Sequence, residues 1–150
     1  MIYVPWAREH PECRAALAPF SPVYADVSGD PYAYGRMIER LWRRAISFVI
    51  VEHDVLVRPD TLPDLLSCRH PWCAYSVWMG EGEVATFGCV RFAASILEEP
   101  WLVPATDWQR LDAAVEAWLV GKGHVKHVHY PALAHLNPGV VELDRRRAAT

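Results

Sequence analysis

The residues with the clearest capacity for chemistry are Glu52-His53-Asp54, two carboxylates separated by one histidine. They follow Ile46-Ser47-Phe48-Val49-Ile50-Val51, an almost wholly apolar and partly β-branched run. Carboxylates at the end of a buried strand are costly unless a positive partner meets them. A divalent cation such as Mg²⁺ or Mn²⁺ suits hard oxygen ligands and takes further ligands from a substrate's phosphates. Such an ion could stabilise a departing diphosphate as a Lewis acid. The plain alternative is that Glu52 and Asp54 end a strand and face water.

The elements that must position this triplet are legible upstream. Met1 to Trp6 reads as a first strand, Arg8 to Phe20 as a short helix broken before Pro22, and Val23 to Val27 as a second strand. Ser28-Gly29-Asp30-Pro31 is a cluster of turn formers and helix-start residues. From Tyr32 to Arg44, Tyr34, Met37, Ile38, Leu41 and Trp42 form the stripe of an amphipathic helix. The apolar run then reads as a central parallel strand covered on both faces. Its carboxyl end is where open α/β sheets bind ligands. Strand alternation would aim Glu52 and Asp54 one way and His53 the other.

Downstream, Val55 to Asp60 continues into a turn and Thr61 to Leu66 into a short helix with Pro63 in its first turn. Trp72 to Trp78 reads as a strand, Gly80 to Glu83 as a turn, and Val84 to Phe92 as a return strand broken at Gly88. Asp107 to Val120 carries the helical stripe Leu111, Val115, Trp118 and Leu119, stopped by Gly121-Lys122-Gly123. Val125 to Tyr130 alternates as a last strand. Pro131 to Pro138 reads as a loop carrying His135 and Asn137. No repeat, low-complexity stretch or linker interrupts the 150 residues, so residues 1–150 read as one domain with 146–150 as a frayed tail.

Composition narrows the function classes. Hydrophobic residues at 52% and charged residues at 22% suit a folded globular chain. A formal net charge of -3, with one basic run at Arg145-Arg146-Arg147, argues against a nucleic-acid binder. No apolar run approaches the roughly 20 residues of a membrane span, and the N-terminus lacks the pattern of a signal peptide. A cytoplasmic protein is expected, with Cys13, Cys68, Cys73 and Cys89 as reduced thiols. Cys68-Arg69-His70-Pro71-Trp72-Cys73 is spaced loosely like a metal clip. No second paired-cysteine element follows to complete a four-ligand zinc site, which favours buried or loop thiols.

The order of these features resembles the GT-A glycosyltransferases, in particular the large inverting family with many small bacterial and phage members. The resemblance spans Val23 to Asn137. It rests on the helix from Tyr34-Gly35-Arg36 to Arg44 and on the strand ending in Glu52-His53-Asp54, where the family has Asp-x-Asp. The glycine segment Thr86-Phe87-Gly88-Cys89-Val90-Arg91-Phe92 and the helix stretch from Leu111-Asp112 complete it. Two departures are Glu52 in place of Asp, and Leu111 in place of the Glu that precedes the family's base.

The resemblance implies a GT-A-like three-layer α/β/α sandwich with a mixed, mainly parallel central sheet. It further implies metal-dependent transfer of a sugar from a nucleotide-diphospho-sugar donor, with inversion, to an acceptor that is a glycan, a protein or a small molecule. Asp112 takes the general-base position. Glu52 and Asp54, with His129 or His135, would hold Mn²⁺ or Mg²⁺. Asp26, Asp30 and Arg36 would meet the nucleotide, although Asp30 is equally placed to cap the next helix. Trp72 and Trp78 could stack on a sugar or fill the core. Homo-oligomerisation is left open. The rival readings are a nucleotide-sugar-binding module without turnover, and a zinc-stabilised interaction protein built on the Cys68 to Cys73 loop and the late histidines.

Overall fold

The computed structural model describes residues 1–8, 10–79 and 82–136. Asn137 and the basic run Arg145-Arg146-Arg147 lie outside the described residues, as does the Gly80-Glu81 part of the expected turn.

The strands are β1 (Ile2–Trp6), β2 (Val23–Asp26), β3 (Phe48–Val51), β4 (Val55–Leu56), β5 (Trp72–Trp78), β6 (Glu83–Val84), β7 (Cys89–Phe92) and β8 (His127–His135). The helices are α1 (Pro11–Leu17), α2 (Ala33–Trp42), α3 (Thr61–Ser67) and α4 (Trp108–Gly121), with a 3-10 turn at Ala18–Phe20. Among the described residues all eight strands join one sheet, in the order β2-β1-β3-β7-β5-β8-β4, with β6 paired to β5. β1, β2, β3, β5 and β8 run one way and β4, β6 and β7 the other, so the sheet is mixed with a parallel majority of strands.

Strand alternation divides the core in two. Phe48 and Ile50 of β3, with Trp72, Ala74, Val90 and Phe92, face α2 and α4 and meet Met37, Ile38, Trp42, Leu111 and Val115. Val49 and Val51, with Cys73, Tyr75, Val77 and Cys89, face the other way and meet Leu17 of α1 and Leu62 and Leu65 of α3. β3 is therefore buried along its whole length, which explains why its sequence is apolar without alternation. The three layers are α2 and α4, the sheet, and α1 and α3. Each large aliphatic side chain buried in them contributes about 1.5–3 kcal/mol.

The expected return strand Val84 to Phe92 forms as two short strands, β6 and β7, and two further elements differ from the sequence expectation. The last strand does not end at Tyr130 but continues through Pro131 to His135. Its register against β5 jumps from Tyr75 opposite His129 to Val77 opposite Leu133, so extra β8 residues loop out as a bulge. A proline is tolerated there because a bulge needs no ladder N–H from it. Arg58 donates to the carbonyls of Pro131 (3.1 Å) and Ala132 (3.3 Å), satisfying acceptors that the ladder leaves free. The second difference is β4, two residues long and too short to carry a period, which pairs antiparallel with the end of β8.

Candidate cation site at the sheet's carboxyl edge

β1, β2, β3 and β8 all deliver their carboxyl ends to the same edge of the sheet. At β3 the chain leaves the strand after Val51 and turns, with the Val55 N–H donating to the Glu52 carbonyl (3.1 Å). The Glu52 N–H donates in turn to the Gly88 carbonyl (2.9 Å), and the Leu136 N–H to the Asp54 carbonyl (2.8 Å). The triplet is thus held between the start of β7 and the end of β8. It is a turn rather than an extension of the strand, so the turn, not strand alternation, sets the directions of Glu52 and Asp54.

The result is a cluster. One carboxylate oxygen each from Glu52 and Asp54 and one ring nitrogen of His135 all lie within 4.8 Å of one another. Asp54 is buried and Glu52 half-buried. His135 Nε2 stands 3.5 Å from Asp54 Oδ2, and its Nδ1 is buried without a hydrogen-bond partner. Tyr34 of α2 donates its hydroxyl to Glu52 Oε1 (3.2 Å). Burial, then the neighbouring Asp54 charge, push the Glu52 carboxyl up to about 8, against the opposing pull of the Tyr34 hydrogen bond. The same surroundings hold the Tyr34 hydroxyl well above its ordinary value, burial first and Glu52 next.

Asp112 sits in the second turn of α4, whose start is capped by Asp107 accepting from the N–H groups of Gln109 (3.1 Å) and Arg110 (3.2 Å). α4 lies close against α2: a β-carbon on Gly35 would stand 3.4 Å from Leu111 Cδ1. Asp112 is half-buried, and burial raises its carboxyl above the usual range. Its charge acts on both Glu52 and Tyr34, so it belongs to the same electrostatic neighbourhood.

Asp26, at the carboxyl end of β2, is exposed and accepts from the Ser28 N–H (2.9 Å) and hydroxyl (2.7 Å), which lower its carboxyl. Asp30 accepts from the Tyr32 N–H (2.8 Å) at the start of α2 and forms an ion pair with Arg36. Trp72 is core, at 1% exposure, whereas Trp78 is 52% exposed at the end of β5, opposite Ala134 in register. His129 is not in the Glu52 group; its ring nitrogen lies with the thiols of Cys68 and Cys73.

One feature was missed by sequence reasoning. His53 points to the α1 side, where its ring lies 5.5 Å from that of His10. A cleft there is lined by Trp6, Arg8, His10, Arg14, Tyr24 and His53. Burial lowers the His53 imidazole. No motif marks this cleft, because its lining comes from four separate segments.

No protein-family model matches the chain, and no curated protein matches it. Among solved structures the chain is similar to A197 from STIV, with a TM-score of 0.60 and 9% identity, over 88% of this chain and 81% of that one. It is also similar to a glycosyltransferase involved in the glycosylation of the major capsid of PBCV-1, with a TM-score of 0.55 and 12% identity, over 97% and 96%. At these identities the likeness concerns the fold, which is GT-A-like. Among the described residues no helix is long and apolar enough to cross a membrane.

Proposed function

We propose that the chain is a metal-dependent glycosyltransferase that moves a sugar from a nucleotide-diphosphate donor to an acceptor hydroxyl, with inversion at the anomeric carbon. The observation that carries this reading is the convergence of Glu52, Asp54 and His135 at the carboxyl edge of a GT-A-like sheet. Two carboxylates and an imidazole fit Mn²⁺ or Mg²⁺. The crowding of two carboxyl groups is an arrangement that a cation relieves. Bound there, such an ion would neutralise the diphosphate oxygens and make them a better leaving group.

The remaining work falls to this chain's own side chains. Asp112 accepts the proton of the acceptor hydroxyl as its oxygen bonds to the anomeric carbon, while the bond to the diphosphate breaks and its electron pair leaves with the diphosphate. A carboxyl raised by burial is the stronger base, which favours this role. Tyr34 orients Glu52 through its hydroxyl. Asp26, Asp30 and Arg36, around the end of β2 and the start of α2, are assigned to the nucleoside and phosphate end of the donor. The exposed Trp78 offers a face for sugar stacking.

Isothermal titration with a panel of nucleotide-sugars, with and without Mn²⁺, tests the reading when run beside a donor-hydrolysis assay. Metal-dependent binding with turnover of one donor is expected. Binding with no hydrolysis or transfer of any donor would instead support a nucleotide-sugar-binding module.

A further inference from the structure

A second cluster lies outside the acidic group. Ligand atoms of Cys68, Cys73 and His129 all fall within 4.8 Å of one another. Cys68 is the residue that closes α3, Cys73 is the second residue of β5, and His129 is the third of β8. β5 and β8 pair in parallel, with Cys73 opposite His127 and Tyr75 opposite His129. Cys73 belongs to the core layer under α3, with Leu62 and Leu65. The cluster therefore joins a helix end and two neighbouring strands, and is no accident of one flexible loop.

Several contacts hold these groups in place. Arg91 on β7 donates to the carbonyls of Cys68 (3.0 Å) and His70 (3.2 Å), fixing the connection that carries Cys68. The His129 ring is stacked on Tyr75 at 5.2 Å and meets His127 edge-on at 4.8 Å. All four cysteines are free thiols, Cys73 buried and Cys68 half-buried. The Nε2 of His129 is buried and has no hydrogen-bond partner. A buried ring nitrogen without a partner calls for an explanation, and coordination to a cation is one.

We propose that Cys68, Cys73 and His129 bind one zinc ion, with solvent in the fourth position. Two sulfurs and one imidazole make a soft-to-borderline donor set, which selects zinc over the oxygen-preferring Mg²⁺ and Mn²⁺. The two thiols release their protons to solvent on binding, so two thiolates balance the ion's charge and no redox step is involved. The ion cross-links the connection between α3 and β5 to β8, far along the sheet from the carboxyl edge. The cysteine spacing alone does not show this site, because the third ligand comes from another strand. The proposal stands independently of the glycosyltransferase reading.

The test uses the full chain, purified under reducing conditions, stripped with a chelator and titrated with Zn²⁺ against a chromophoric competitor. One equivalent bound at submicromolar affinity is expected. Co²⁺ in place of Zn²⁺ should give thiolate-to-metal charge-transfer absorption together with intense visible bands of a four-coordinate site. Cys68→Ser and His129→Ala should each weaken zinc binding by about a hundredfold or more while the circular dichroism spectrum stays that of the parent. Cys68 is chosen because it is only half-buried; should a variant fail to fold, the cobalt spectrum of the parent decides the matter. No tight zinc binding, a cobalt spectrum without thiolate bands, or full affinity in folded Cys68→Ser or His129→Ala would overturn the proposal.

Discussion

Glu52 experiences opposing influences that can be separated by pH. Its carboxyl rises from 4.5 to about 8, through burial and then the Asp54 charge. In the unfolded chain it ionises near the ordinary value, so between about pH 4.5 and 8 the folded protein keeps a proton that the unfolded one releases. Folding therefore weakens as pH rises through that window, by at most about 1.4 kcal/mol per unit. Glu52→Gln removes the titration while keeping an acceptor for Tyr34. In metal-free thermal melts the variant should match the parent near pH 4.5 and gain on it progressively toward pH 8; an offset that does not change with pH would show that the carboxyl titrates elsewhere. Asp112 is tested by turnover. Its Oδ1 accepts from the Ala113 N–H (2.7 Å), a bond that an amide oxygen can also accept, so Asp112→Asn should fold and bind donor. Loss of a general base should cut kcat by about 10²–10⁴, and unchanged transfer would remove Asp112 from that role. The places of Glu52 and Asp54 in the chain are marked by the end of a buried apolar strand, whereas Asp112 is singled out only by the resemblance and by no pattern of its own. His129 and His135 were not distinguishable, since both sit at odd positions on a segment whose bulge the sequence does not announce.

The elements around the site explain what could be read and what could not. The α2 stripe and the unbroken apolar run of β3 record burial directly, and both elements form where the sequence places them. β8 was misread at Pro131, because proline signals a loop unless a bulge spares its missing N–H, and the Arg58 side chain that satisfies this bulge lies more than seventy residues away in sequence. Gly88 is a second such position. By sequence it marks a break in a strand, and the structure gives the reason. A β-carbon there would stand 2.8 Å from Val77 Cγ2 and 3.2 Å from Val55 Cγ2, both in the core layer facing α1 and α3. Its carbonyl meanwhile accepts the Glu52 N–H. Gly88→Ala should therefore destabilise the protein by about 1–3 kcal/mol through overpacking, seen as a lower urea midpoint at constant slope. Val77→Ala in the same chain should recover part of the loss. No recovery would mean that the Val77 contact is not the source of the strain.

Taken together, the elements make one mixed sheet with two packed faces and one edge where the carboxyl ends of its parallel strands gather. The faces account for the folding energy, and the edge collects strand ends whose polar groups the core cannot satisfy. That division places Glu52, Asp54 and His135 together although their elements are far apart in sequence: β8 reaches the edge only because it runs parallel to β5 and lies next to β4. A cation that binds the folded edge and not the unfolded chain must raise global stability. At free Mn²⁺ a hundredfold above its dissociation constant the gain is about 2.7 kcal/mol, or roughly 5–10 °C in melting temperature for a chain of this size. Asp54→Ala should abolish the shift. The metal-free variant should nonetheless remain folded, because losing Asp54 relieves the like charge beside Glu52 while giving up the 3.5 Å contact to His135 and the attraction to His53. Differential scanning calorimetry of both proteins, each stripped and then titrated with Mn²⁺, separates the two effects. A shift of the same size in Asp54→Ala would put the cation somewhere other than the carboxyl edge and take the acidic cluster out of the proposed transfer.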